Sequence, residues 1–384
     1  MARVMVQPKL LRWARERADR TVEELAKKFP KLDQWEQGEA QPTLKQLEDF
    51  AKALYVPIGY LFLPDPPEER IPIPDFRTIR PGEVTRPSPD LLDTIYTMQR
   101  RQAWLREERL ECEAEPLDFV GTARLTDDPD AVGREMRRTI GFGEGWAAEV
   151  RTWEEAVGEL RRGIEHLGIM AVINGVVGNN THRTLDVEEF RGFALCDAYA
   201  PLIFVNGADA KSAQMFTLAH ELAHIWLGPE GEGVSGFRDI FPDGTEVERF
   251  CDKAAAEFLL PARELKAHWR DVKDKPQPFE ELAREFKVSP TVAGRRAMDL
   301  RLVDRETFFT FYYAYIRQER RQRKSAGGGD FYNNQNVRVS QMFAMQIIRA
   351  AKEGRVSFKE AYDLTGLRGG AFQEYARRLG FDLP

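Results

Sequence analysis

Eight of the chain's 22 prolines fall in one stretch, PDPPEERIPIPDFRTIRPGEVTRPSP at 64–89. Proline fixes φ and removes a backbone donor, so a run this rich makes an extended connector and not a packed element. The stretch therefore divides the chain: the residues before it must find one core, and those after it must find another. Length points the same way. A single core seldom serves more than about 250–300 residues, and the chain has 384. The sequence reads as a helical bundle at 1–64, a linker at 65–89, a main domain at 90–275, a helical support at 276–324 and a helical module at 330–384. SAGGG (325–329) forms a flexible link before the last of these.

Composition narrows the function classes. With 42% hydrophobic and 31% charged residues, ordinary cores are within reach. A net charge of -6 argues against a surface built to coat nucleic acid, while leaving room for one small DNA-reading module. Three scattered cysteines, Cys112, Cys196 and Cys251, make neither a disulfide framework nor a thiolate zinc site. Met1 to Gln7 is too short and mixed for a signal peptide, and no run approaches the roughly 20 apolar residues of a membrane span. The expectation is a cytoplasmic protein with no membrane partner.

Helical periodicity dominates the chain. Leu10, Leu11 and Ala14 recur at helical spacing. Thr21 with Glu24, and Thr152 with Glu155, form capping boxes, and Thr43 caps TLKQLEDFAKAL. The period changes at 168–173 (GIMAVI), 190–196 and 201–206, which read as strands. A helix over 209–227 ends at Gly228-Pro229, and another over 245–260 ends near Pro261. The fold class expected is α+β, mostly α, with a small sheet.

Histidine is scarce, at five residues, and two of the five stand in His220-Glu-Leu-Ala-His224. Four residues apart on a helix, the two imidazoles share a face and can reach one ion. Zinc suits neutral imidazole nitrogens and needs three protein ligands plus a water at a catalytic site. Glu221 lies beside the open position, where it can take a proton from the zinc-bound water and return one to a leaving amine. Candidates for the third ligand are His268, His182, Glu246, Glu248, Asp252 and Glu257. Glu248 and Asp252 lie four apart, so one can bind the metal while the other orients a ligand histidine through its ring N–H. The reading takes Glu248 as ligand and Asp252 as that orienting group. His182 is the candidate for stabilising an oxyanion. Cys251 reads as a core thiol. Residues 190–197 are the candidate strand edge for an extended peptide.

FTLAHELAHIWLG, preceded by PLIFVN and followed by ERFCDKAAAEFLLP, resembles the ImmA/IrrE family of zinc metallopeptidases over about residues 150–300. The resemblance implies a zincin-like fold and a gluzincin-like metallo-endopeptidase. In it His220, His224 and Glu248 hold Zn2+, and Glu221 acts on the water. It also implies a substrate that is a DNA-binding regulator, cleaved or otherwise inactivated.

The N-terminal phrases LRWARERA, TVEELAKK, WEQGEAQPTLKQLEDFAKAL and PIGYLFL resemble the lambda-repressor-like (Xre-type) helix-turn-helix. The segment KKFPKLDQ departs from that pattern: it is several residues shorter than a turn plus recognition helix, and it contains Pro30. Residues 1–62 carry 11 Lys+Arg against 9 Asp+Glu, a thin surplus for a DNA-reading face. The unit reads either as a DNA reader or as a structural or dimerising bundle. A second helix-turn-helix pattern at 281–303 offers Arg295 and Arg296 as nucleic-acid contacts, and the basic run Arg317 to Lys324 comes after it. The rival to a peptidase is a transcription regulator or an antitoxin of a toxin–antitoxin-like pair, with a structural or sensory zinc domain. Partners in view are a protein substrate or partner (repressor or toxin), DNA, and a second copy of the chain. The glycine-rich stretch 228–244 and the proline linker suggest a gate that makes activity conditional.

Overall fold

A computed structural model describes residues 3–67, 87–228, 233–235, 246–322 and 331–383. Most of the proline linker, most of the glycine-rich stretch 228–244, SAGGG and the end of the basic run lie outside the described residues, so the gate does too. The chain forms two compact units, one holding residues up to 67 with 87–95, the other running from Tyr96.

The first unit is built from α1 (Pro8–Arg17), α2 (Val22–Ala26), α3 (Leu32–Gln37), α4 (Leu44–Ala53) and a 3-10 turn (Ile58–Phe62). Both expected N-caps are present. Thr21 and Glu24 close one capping box, and Thr43 and Gln46 close another. Such boxes satisfy amide donors that a helix start would otherwise leave bare. Leu10, Leu11, Phe29, Trp35, Leu47 and Phe50 make the core. On either side of Pro30, α2 has five residues and α3 six. On α3, Leu32, Trp35 and Glu36 face inward, and the exposed side chains are Asp33, Gln34 and Gln37, none of them basic. Glu36 is tied to Arg15 by two hydrogen bonds of 2.7 and 2.9 Å.

The helix α5 (Pro89–Glu111) leads into the second unit. There α6 (Pro129–Ile140), α7 (Trp146–Glu149) and α8 (Trp153–His166) precede the strands β1 (Met170–Asn174), β2 (Val176–Val177), β3 (Asn180–Thr184), β4 (Gly192–Leu195) and β5 (Leu202–Asn206). The site helices α9 (Lys211–Leu227) and α10 (Glu246–Leu259) flank the short strand β6 (Gly233–Ser235). Then come α11 (Ala262–Val272), α12 (Pro278–Phe286), α13 (Pro290–Asp299) and α14 (Arg305–Gln322). The chain closes with α15 (Phe331–Arg338), α16 (Gln341–Lys352), α17 (Phe358–Thr365) and α18 (Gly370–Arg378). The fold is α+β and mostly α, as the sequence pattern implied. The hairpin β2–β3 and helix α11 escaped that pattern, the first because it is short and polar.

The main sheet runs β1-β5-β4-β6, with β1 and β5 parallel and the other pairs antiparallel. Strands β1 and β5 are buried along their whole length, as a parallel pair covered on both faces must be. Alternate residues divide the faces. Ala171, Ile173, Ala194, Ile203 and Val205 join the core shared with α9. Phe193 and Phe204, paired across β4 and β5, stack at 5.0 Å on the other face. The expected peptide edge at 190–197 needs correction: β4 is bonded on both sides, and β6 takes the outer position.

The support at 276–324 is built in, not appended. Arg296 is buried, ion-paired with Glu257 and bonded to the Leu260 carbonyl at 3.3 Å. Its expected role as a nucleic-acid contact is therefore a correction as well. The guanidinium is spent inside the domain, where an unpaired charge would be costly. Arg295 is half-buried and pairs with Asp299 at 3.1 Å.

The last four helices are fastened to this domain by buried charges placed at helix ends. Arg101 on α5 donates to the Leu364 carbonyl (2.9 Å) and the Arg338 carbonyl (3.0 Å), at the C-terminal ends of α17 and α15. Burial lowers its pKa to about 10, and the two negative helix ends compensate for the absence of a carboxylate. Glu165 on α8 accepts from the Gln341 amide (3.1 Å) at the positive end of α16 and from Arg161 (2.6 Å).

Helix α10, which carries half of the candidate site, lies close against α6 because residue 133 is glycine. A Cβ there would fall 2.4 Å from the Ala254 carbonyl oxygen and 3.1 Å from the Phe258 nitrogen. Gly133→Ala should cost about 1–3 kcal/mol through overpacking against backbone, read as a lower urea midpoint in chemical denaturation.

Candidate metal centre

Helix α9 is buried almost throughout, because it passes between the sheet and α10. Its start has no side-chain cap, but Gln214 in its first turn ties down the preceding loop, donating to the carbonyls of Gly207 (3.2 Å) and Asp209 (2.7 Å). Its end is held by the segment before α6. Gly121 N and Ala123 N donate to the Ile225 and Trp226 carbonyls at 3.1 and 2.9 Å. Phe119 stacks on Trp226 at 4.7 Å. A helix fixed at both ends presents its side chains at set angles.

One turn of α9 supplies His220 and His224, whose Nε2 atoms lie 3.0 Å apart. Glu248, in the first turn of α10, brings its carboxylate 3.3 Å from His220 Nε2 and 3.5 Å from His224 Nε2. All three are buried, and their ligand atoms lie within 4.8 Å of one another. Asp252, one turn further along α10, accepts from His220 Nδ1 at 2.9 Å. That bond fixes the ring so that Nε2 faces the other two groups. The donor set fits a divalent ion of the zinc type: two imidazole nitrogens and a carboxylate, with an orienting carboxylate behind one ring.

Glu221 is fully buried, on the α9 turn beside His220. Its place depends on Gly192 at the start of β4. A Cβ on Gly192 would stand 3.1 Å from Glu221 Oε1, 2.6 Å from Thr217 Cγ2 and 2.8 Å from the Phe204 oxygen. The missing side chain is what lets α9 and its glutamate lie against the strand. Sequence reasoning passed over Gly192; a glycine opening a strand was the only signal.

The other candidates go elsewhere. Glu246 is exposed, and Glu257 is committed to Arg296. His268 Nε2 pairs with Glu285 at 2.9 Å on a half-exposed surface. His182 is exposed on β3, and the structure does not bring it into the buried cluster. Cys251 is fully buried in the core, and the Cys196 thiol donates to the His224 carbonyl at 3.5 Å.

This domain is metalloprotease-like, with a His/His/Glu cluster able to coordinate a metal. Residues 164–298 match the family model described as IrrE N-terminal-like domain (Peptidase_M78). Residues 339–378 match a second model, described as a domain of unknown function (DUF8813). The chain is similar to the radiation response metalloprotease IrrE of Deinococcus deserti, 30% identical over 138 residues. That match covers 34% of this chain and 47% of the relative, so the chain spans about half the relative's length. Among the described residues, no helix is long and apolar enough to cross a membrane.

Burial pulls the His220 ring toward neutrality, but the hydrogen bonds and charges of Asp252 and Glu248 outweigh it and raise the pKa to about 10. In the metal-free protein this stabilisation is complete below the ordinary histidine pKa and is lost as pH rises toward about 10. A metal must displace that proton. Apparent zinc affinity should therefore rise with pH, by up to about tenfold per unit for one proton released. Asp252→Asn should weaken affinity by about 10–100-fold. Competition with a chromogenic chelator measures both, and a pH-independent affinity would contradict the arrangement.

Proposed function

We propose that the second unit is a zinc-dependent endopeptidase of the cytoplasm and that it acts on a DNA-binding regulatory protein. The observation carrying this reading is a fully buried carboxylate, Glu221, set beside a cluster of two imidazoles and a carboxylate. Acids are seldom buried unless paired, and two buried ones, Glu221 and Glu248, in one small volume with two histidines make a site with few other uses. The similarity to a radiation response metalloprotease supports the reaction class. The substrate class rests on the resemblance of the motifs to ImmA/IrrE peptidases.

His220, His224 and Glu248 would hold the ion, and Asp252 would keep the His220 ring in register. A divalent metal there would supply Lewis-acid polarisation of the scissile carbonyl and of the attacking water. Glu221 would accept the proton of that water and pass it to the leaving amine, so that the peptide C–N bond breaks as a neutral amine departs. Gly192 would keep the Glu221 carboxylate against β4, and the surrounding apolar core would keep bulk water from competing for it.

Glu221→Gln leaves the three ligand side chains intact and removes the proton acceptor. It should retain stoichiometric zinc and fold normally, while cleavage of a co-expressed DNA-binding regulator falls by about 10²–10⁴-fold. Mass spectrometry of the fragments and metal analysis of the same sample give the two readouts. Undiminished cleavage would remove Glu221 from the chemistry. A zinc-loaded protein that cleaves no regulator, yet binds DNA in a salt-dependent way that survives His220→Ala, would replace the peptidase by a transcription regulator.

A further inference from the structure

Helix α14 carries three aromatic pairs at i,i+4 spacing, and two of them serve its packing. Phe308 and Tyr312 are buried and stack at 6.0 Å, and a Cβ on Gly294 of α13 would meet the Phe308 ring at 3.2 Å. Phe311 and Tyr315 lie 5.6 Å apart, with Phe311 4.7 Å from Phe279 of α12. The third pair, Phe309 and Tyr313, is turned outward. Phe309 is half-buried, Tyr313 is 53% exposed, and the ring centres are 6.1 Å apart. The same spacing continues this row in both directions with arginine. Arg305 lies one turn before Phe309, its guanidinium carbon 5.2 Å from the ring centre, and Arg317 lies one turn beyond Tyr313. Both arginines are exposed, and neither has an ion-pair partner among the described residues. The row itself contains no acid. Asp304, just before it, is taken up by the Thr307 amide at 2.7 Å. The neighbouring row runs from Glu306 through Thr310 and Ala314, and the last two are short and exposed, which leaves room beside the rings. From Arg317 to Lys324 the sequence has five basic residues against one acidic.

Exposed rings framed by guanidinium groups suit a partner with flat faces and a repeating negative charge. Nucleic acid has both. Four residues of helix rise about 6 Å, comparable to the step between nucleotides of an extended single strand, so successive bases can meet successive side chains of the row. A duplex hides its base faces in the stack, and an acidic protein surface would meet the arginines while leaving the ring faces without a counterpart. We propose that this row is a docking surface for single-stranded DNA. One base lies against Tyr313, the next against Phe309 with its Arg305 guanidinium, and Arg305 and Arg317 hold phosphates. The choice of DNA over RNA rests on the reading of the substrate as a DNA-binding regulator, because DNA is the polyanion such a substrate brings with it. A strand held there would keep the metalloprotease-like domain beside the regulator's DNA.

Fluorescence anisotropy of a labelled oligo(dT) strand with the full chain tests this. Affinity should fall with salt, with log K against log salt sloping by about −0.7 for each phosphate contacted. Tyr313→Ala removes an exposed ring and should weaken binding about 5- to 150-fold, whereas Tyr313→Phe keeps the ring and should bind as the wild type does. Arg305→Ala/Arg317→Ala should weaken binding and make the salt slope shallower by about 1.4. The readout is binding alone, so failure here leaves the peptidase reading standing. Absence of oligo(dT) binding would overturn the proposal. So would tighter binding of oligo(U), or equal affinity for a duplex of the same length that is indifferent to Tyr313→Ala. Unchanged oligo(dT) binding in Tyr313→Ala, with loss of binding to the co-expressed regulator, would also overturn it and assign the row to a protein partner.

Discussion

A carboxylate and two imidazoles meet in the interior of the second unit, and the domain is arranged around making that tolerable. A buried charge is costly unless it is paired. Glu248 lies 3.3 and 3.5 Å from the two ring nitrogens, and Asp252 backs His220 from the far side. Asp252 and Glu248 favour the protonated form of the His220 ring, and a bound cation would take over that charge. Either way α9 and α10 are drawn together at one point, and the remaining packing has to permit it. Gly133 lets α6 lie against α10, and Gly192 lets β4 lie against α9. These glycines act through the side chain they lack.

Charge is handled elsewhere in the domain by the same economy. Arg101 has two helix C-termini in place of an acid, and Glu165 has a helix N-terminus together with Arg161. Each uses the partial charge that unsatisfied backbone groups leave at a helix end. The module after the glycine linker is consequently bound to the metalloprotease-like domain by buried polar contacts, which a tethered, freely moving module would not make. Arg296 obeys the rule too. Its charge pointed outward as long as only its own helix was considered, and its true partner, Glu257, belongs to a different helix 39 residues earlier.

Much of the site was legible because its parts are local. His220 and His224 share a turn, Glu248 and Asp252 share another, and helical spacing decides which side chains point together. The helix boundaries near 211–227 and 246–259 were equally legible from periodicity and from Gly228 and Pro261. What local pattern missed were relations between elements. Gly192 carries no chemistry by itself, and only the neighbouring α9 gives it a task. Strand order is not written in any single strand, so the expected edge at 190–197 lies inside the sheet.

The proline stretch at 64–89 and the glycine run at 325–329 divided the chain by sequence alone, since backbone stiffness and freedom are local properties. The sequence also determined, without help, that two histidines and a glutamate belong to one chemical motif. Spacing to Asp252 already favoured Glu248; the tertiary structure decided that this carboxylate reaches the two imidazoles while Glu246, Glu257 and His268 do not, because that depends on how α10 and α11 pack. It decided, too, that the helices after the glycine run are fastened to the domain before them. Long-range contacts are set by the packing of whole faces, and a linear pattern of residues specifies a face without naming what will cover it.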